Sequence, residues 1–470
     1  MRIALAAVAA LFAAGPAAAR GAADLLIRDA SVVDVARGRI LQHQSLAVRG
    51  DTIVAVGPDR TIARRFGGAR TVNATGKFVM PGLWDMHVHF GGGPELIAEN
   101  KALLPLYVAY GVTTVRDCAA DISTSVLEWR EAVAKGQLLG PTIFTSGPKL
   151  EGYKPIWKGT LEVGTPAEVN GALDKLQVMH VDFVKITDNT LKPDIFLYAV
   201  KEAKRRGLRT SAHTPYALTI DQAVDDGLSS IEHIDYLIKA GSPREAEIGA
   251  AFAAGKLTYG AATDAFVNSF DPAYARTAYR RLAAKGVYVT PTLNMGRILA
   301  FLDREDHSKD EGLAYIGPGL RKTYDWRIER AAKATPEQVA ARHKEHELSM
   351  KVLPMLQAAG ISILAGTDAG YLNSFNYPGA GLHDEIELYV KAGLTPRQAL
   401  ASSILTGPRF LGHADRYGAI EGGKAADLLI LEGNPLKSVA ATRKIDAVIL
   451  HGKLLDRRAL DTLLAEAKAR

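Results

Sequence analysis

Eight short apolar runs that read as strands alternate with amphipathic stretches of helical length between residues 83 and 368, and this alternation restricts the chain to a parallel α/β architecture. The strand candidates are 83–89, 113–117, 142–146, 182–187, 210–213, 229–233, 288–292 and 362–368. The helical stretches between them include 94–110, 165–180, 193–206, 220–226 and 337–359. Eight such repeats predict a (β/α)8 TIM barrel over residues 81–415, with extra helices in the long connection from 233 to 288. In a barrel of that kind reactive groups belong at the C-terminal ends of the strands, so those ends are where chemistry is to be sought.

The first strand candidate already carries some. Trp84, Met86, Val88 and Phe90 alternate with Asp85, His87 and His89, so one face is apolar and the other holds two imidazoles. Histidines at i and i+2 of a strand point the same way and can converge on one divalent ion. An isolated His-x-His is ordinarily a pair of solvated side chains, so the remaining strand ends must decide. Lys185, His213, His233 and Asp368 all fall at or within two residues of such an end. Each has an ordinary reading alone: a strand lysine reaching solvent, a loop histidine, a turn or cap aspartate. Gathered at one end of a barrel, a lysine and four histidines would repel or lose their charges unless metal ions and anionic ligands were present.

The flanks differ from the middle. Residues 23–78 hold short strands separated by turns, too few to close a core alone, and apolar strand-like runs return at 426–432 and 447–451. One small β-sandwich built from both ends, residues 20–80 and 416–470, with the barrel inserted between them, is therefore expected. Residues 1–19 read as a signal peptide: Arg2, an apolar run over 3–14, and Ala17-Ala18-Ala19 as cleavage site. The expectation is an exported chain, periplasmic or secreted, with no membrane span in its mature form. Cys118 is the only cysteine, which excludes an intramolecular disulfide. A net charge of +6 is spread along the chain without long basic runs, which argues against a nucleic-acid partner. The expected partner is a small-molecule substrate, and a homo-oligomer is compatible with the composition.

The set His87-Val88-His89, Lys185, His213, Ile231-Glu232-His233 and Gly366-Thr367-Asp368 resembles the amidohydrolase superfamily, in its imidazolonepropionase-like and prolidase-like branch. The likeness extends to Val79-Met80-Pro81-Gly82-Leu83, to Gly111 through Asp117, and to the tail from Gly418 to Leu431. It implies a binuclear centre with a carbamylated Lys185 bridging two divalent ions, zinc foremost, with manganese, iron or cobalt as alternatives. His87, His89, Lys185 and Asp368 would hold the more buried ion, and Lys185, His213 and His233 the more exposed one. Metal-bound water would attack the substrate, with Asp368 moving its proton to the leaving group.

The resemblance thus implies a metal-dependent amidohydrolase cleaving a C–N bond, that of a dipeptide or N-acyl amino acid. A lactonase or phosphotriesterase on the same centre, or a silent binding protein keeping the fold, are the alternatives. After the third strand this chain has Ser146-Gly147-Pro148-Lys149 where branch members often have Gly-Gly-His. That loop continues through Tyr153, Lys154 and Trp157, so Lys154 is expected to pair with a substrate carboxylate while Tyr153 or Trp157 covers the side chain. Tyr216, just past His213, is expected to hydrogen-bond the scissile carbonyl.

Overall fold

The computed structural model describes residues 22–119 and 121–468, and the signal segment with its cleavage site lies outside the described residues. Among the described residues the chain opens with β1 (Leu25–Asp34), β2 (Arg39–Arg49), β3 (Thr52–Pro58), β4 (Arg70–Asn73) and β5 (Phe78–Pro81). The middle contributes β6 (Leu83–His89), β7 (Val112–Asp117), β8 (Thr142–Thr145), β9 (Leu150–Glu151), β10 (Leu161–Glu162), β11 (Val184–Ile186) and β12 (Thr210–Ala212). It continues with β13 (Ser230–Glu232), β14 (Tyr288–Thr290), β15 (Ser362–Ile363) and β16 (Ala369–Gly370). The chain closes with β17 (Leu428–Leu431), β18 (Ile445–Leu450) and β19 (Lys453–Asp456).

The first five and last three strands form one hydrogen-bonded sheet in the order β19-β18-β17-β5-β1-β2-β3, with β4 alongside β1. β5 is the joint: Ser31 pairs with Phe78 in parallel, and Pro81 pairs with Leu428 in antiparallel. Ile27, Val32, Leu46, Val79, Leu428 and Ile449 lie buried together, so apolar residues from both termini share one core.

The middle strands are parallel and form two sheets, β16-β6-β7-β8 and β10-β9-β11-β12-β13-β14-β15. Backbone bonds cross from one to the other: Asp182 N–H donates to Thr145 O at 2.9 Å, and Met86 N–H to Ala365 O at 2.8 Å. The helices between them begin where the sequence supplies caps. Thr335 accepts from Gln338 N in a capping box with Pro336 as the first helical residue, starting the helix Pro336–Ala359, and Gly360 at φ 88° ends it. The long connection after His233 carries the helices Asp235–Ala240, Glu245–Ala253, Tyr259–Ser269 and Pro272–Ala284. No helix of the described residues is long and apolar enough to cross a membrane.

Two expected elements are divided. The stretch 94–110 splits into a 3-10 turn (Pro94–Leu96) and the helices Ile97–Ala102 and Leu104–Ala109, because Pro105 has no N–H to give and its ring crowds the turn before it. The last strand, expected as 362–368, ends at Ile363 and resumes as β16. Between the two pieces Thr367 turns its N–H and hydroxyl to the buried carboxylate of Asp85, at 3.0 and 2.7 Å, instead of joining a ladder.

Candidate metal centre

β6 delivers His87 and His89 from one face at its C-terminal end, as alternate strand residues must be. Nδ1 of His87 is 2.7 Å from Glu232 Oε2, and Nδ1 of His89 is 3.1 Å from the Ala119 carbonyl oxygen. An ionised carboxylate and a carbonyl only accept, so both Nδ1 atoms carry hydrogen, and in the neutral rings that bind metal the Nε2 atoms present lone pairs. Those Nε2 atoms are 3.2 Å apart and stand 3.4 Å (His87) and 2.9 Å (His89) from Asp368 Oδ1. Three electron-rich atoms converge with no hydrogen among them, which calls for a cation.

A second pair faces the first. His213 follows β12, His233 follows β13, and their Nε2 atoms are 3.0 Å apart, with His233 Nδ1 anchored on Thr292 Oγ1 at 2.8 Å. The His87 and His233 ring centroids are 5.1 Å apart. Burial, with the nearby Lys185 adding to it, lowers the pKa of His87 to about 3 and of His233 to about 4, so these rings are neutral and able to bind metal. Burial would raise Asp368, but the imidazoles crowded around it, His89 foremost, hold it well below the carboxylate range.

Lys185, on β11, is buried and its Nζ has no hydrogen-bond partner among the described residues. Burial lowers its pKa, favouring the neutral amine. A neutral amine is the form that adds carbon dioxide to become an anion, and Lys185 lines the same cavity as His89, His213, His233 and Asp368. The residues present therefore fit a divalent-metal centre.

Two of the candidate ligands occupy strained backbone. His233 has φ 72° and Asp368 φ 64°, the left-handed region that costs a non-glycine residue of order 1–3 kcal/mol. Gly370 at φ 138° lets β16 approach β6, because a Cβ there would lie 2.0 Å from the His89 carbonyl oxygen.

Glu232 was named only as part of a motif, yet it organises the underside. Its carboxylate receives Arg116 Nη2 at 2.8 and 3.0 Å, Ser211 Oγ at 2.6 Å, Ser230 Oγ at 2.7 Å and His87 Nδ1. So engaged, it is a support for His87, although it also lies close to His87 and Cys118 as a possible ligand trio. Burial pushes the Cys118 thiol up to about 12, which keeps it protonated and a poor ligand.

A cavity of about 80 Å³ lies over the centre, and His89, Lys185, His213, His233 and Asp368 all line it. A larger one of about 810 Å³ shares His233, Asp368 and Arg327 with it and runs out past Tyr216, Tyr259 and Trp326. Tyr216 is buried in this larger wall, its hydroxyl 2.9 Å from Thr263 Oγ1 and its ring stacked 4.5 Å from Tyr259. The other two substrate candidates lie elsewhere. Tyr153 is half exposed and donates to Glu168 at 2.6 Å, Lys154 is exposed with its backbone N–H on Glu162, and neither lines either of these two cavities. From the same loop it is Lys149 and Trp157 that reach the smaller cavity. Arg327 was also not anticipated; its Nε donates to Leu372 O at 2.9 Å and its Nη2 to Asn373 Oδ1 at 2.7 Å.

The pattern that defines the amidohydrolase family matches residues 78–455. Ochratoxinase from Aspergillus niger is 23% identical over 466 residues, spanning 87% of this chain and 82% of its own length. The solved bottromycin amidohydrolase superposes with a TM-score of 0.71 at 20% identity, over 94% of this chain and 89% of its own. A Xaa-Pro dipeptidase solved with methionine in its active site superposes with a TM-score of 0.67 at 20% identity, over 92% and 99%.

Proposed function

The chain belongs to the amidohydrolase family and acts on carbon–nitrogen bonds, and from that premise we propose that it hydrolyses the amide of a dipeptide or N-acyl amino acid at a binuclear metal centre. The observation that carries the reading is the convergence of His87 Nε2, His89 Nε2 and Asp368 Oδ1, with the His213–His233 pair and the orphaned Lys185 amine lining the same small cavity. His87, His89 and Asp368 would hold one divalent ion, His213 and His233 the other, and carbamylated Lys185 both. When bound, the ions acidify water and polarise the scissile carbonyl.

The chain's own residues do the rest. Asp368 Oδ1 lies against both Nε2 atoms of the first pair and lines both cavities, where it can take a proton from the attacking water and pass it to the departing nitrogen. Water's oxygen bonds to the carbonyl carbon, the C–N bond breaks, and the amine leaves with that proton. Glu232 and Ala119 keep the Nδ1 hydrogens of His87 and His89 in place, so their Nε2 atoms stay free to bind. The ochratoxinase and dipeptidase likenesses, and an amino acid in the active site of the latter, support an amide joined to an amino acid.

We read the two parallel sheets as arcs of one (β/α)8 barrel over 81–415, supported by the Thr145–Asp182 and Met86–Ala365 backbone bonds, and the two-ended sheet as a small β-domain. The test is a hydrolysis screen of metal-loaded enzyme over dipeptides and N-acyl amino acids, with lactones and phosphotriesters as controls. Release of free amine from the amides is expected; turnover of the esters alone would replace this reading with the lactonase or phosphotriesterase one.

A further inference from the structure

Lys149 is 6% exposed, and its Nζ lies 4.8 Å from the centroid of the Trp157 ring. Among the described residues no carboxylate oxygen lies within 4.0 Å of that nitrogen, and no hydrogen-bond acceptor takes it up. The contrast with Lys239 is direct: that buried amine donates to Pro215 O at 3.1 Å and to Leu218 O, with Glu245 at 3.7 Å.

The acids nearest Lys149 are occupied elsewhere. Glu151 accepts from the backbone N–H groups of Gly152, Asn189, Thr190 and Leu191 at 2.9–3.1 Å. Asp117 accepts from Thr145 Oγ1 at 2.7 Å, and Asp121 from Gly92 N at 3.1 Å. A buried cation without a counter-charge is costly, so its retention asks for an anion that arrives from outside.

The cavity it faces is rich in unused donors. Thr187 Oγ1 and Trp157 Nε1 are buried without partners, and both residues line the same 80 Å³ space as Lys149 and the candidate ligands. Three donors around a small space suit a carboxylate, which accepts through two oxygens. The space is too small for a bulky group, whereas the 810 Å³ cavity beyond His233 and Asp368 has room for one and offers Tyr259 and Trp326 at its mouth.

The geometry points to Lys149 as the residue that binds the carboxylate of the substrate's amine half, with Thr187 and Trp157 as supporting donors and the bulky acyl half in the larger cavity. This rests on the amide-hydrolase reading above and assigns its substrate an orientation: a free carboxylate beside the scissile nitrogen, on the small side.

The experiment compares wild type, Lys149→Met and Lys149→Arg on N-benzoylalanine and on its carboxamide, and measures alanine and alaninamide binding by calorimetry on the metal-loaded proteins. Expected for Lys149→Met is a loss of about ten- to a hundredfold in kcat/KM on the acid, the scale of one charge-assisted contact, with the carboxamide changed by less than about threefold. Alanine binding should weaken by a similar factor and alaninamide binding should not change, while Lys149→Arg keeps part of the preference. Equal losses on acid and carboxamide, or a wild type that does not prefer the acid, would overturn the assignment even if both substrates are hydrolysed. Should neither be hydrolysed, the amide reading fails, and calorimetry still decides on Lys149: alanine held equally by wild type and Lys149→Met overturns it. If Lys149→Met does not fold, the wild-type preference between acid and carboxamide and the Lys149→Arg values still decide.

Discussion

Glu232 Oε2 lies 2.7 Å from Nδ1 of His87, and both side chains are fully buried. The carboxylate fixes which nitrogen of His87 carries hydrogen, and therefore which one is free for a metal. It is in turn the counter-charge of Arg116, itself buried. Glu232→Gln should lower metal affinity by roughly 10–100-fold, read by competition with a chelator of known affinity. Unchanged affinity would mean that the Nε2 face of His87 does not depend on this partner.

Removing the amine of Lys185 should empty or loosen both halves of the centre. On the proposed binuclear reading, Lys185→Ala is expected to bind less metal than wild type and to lose most activity, with short carboxylic acids restoring a part by standing in for a carbamate. Wild-type metal content and turnover in that variant would refute the bridging role.

Asp368→Asn keeps an oxygen near the histidines but cannot carry a proton. Its kcat should fall by roughly 10²–10⁴ while KM changes little, measured at saturating metal. A decrease of only a few fold would reduce Asp368 to holding the turn at φ 64°.

His383, remote from the centre, makes a prediction about stability. It lies on the helix Ala380–Ala392 with Nδ1 2.8 Å from Thr442 Oγ1 and Nε2 donating to Tyr110 O at 2.9 Å, and burial, then Arg443, lowers its pKa from 6.5 to about 4. The unfolded chain therefore binds the extra proton first as pH falls, so this stability is complete above about 6.5 and is lost toward 4. Between pH 7 and 5 wild type should lose about 2 kcal/mol more than His383→Gln, compared by urea unfolding at both values. Parallel losses in the two proteins would assign the acid sensitivity to other groups.

What could be read in advance follows from how local the signals are. The His87–His89 alternation, the helical stretches 220–226 and 337–359 and the apolar runs at both ends each depend on neighbours in sequence, and the structure carries them. The substrate loop depended on more distant contacts. Lys149 and Lys154 lie five residues apart in one polar segment, yet Lys149 is buried with Trp157 folded over it while Lys154 is left in solvent. The break after Ile363 was likewise hidden, because Asp85, far back in the chain, captures Thr367. Glu232 stood beside His233 in plain view, but its four partners come from three other strands as well as its own, and no spacing announces them.

The place of β5, between β1 and β17, also bears on the order in which the molecule can be assembled. As the chain is made, β5 can lie against β1 at once, but its other edge stays open until almost all of the parallel-sheet segment has been synthesised and β17 arrives. Such distant pairing is slow, and an open strand edge invites pairing with other chains meanwhile. The last strands thus act as a seal: a protein shortened before Leu428 would retain every candidate metal ligand and still leave an unpaired strand edge immediately before β6.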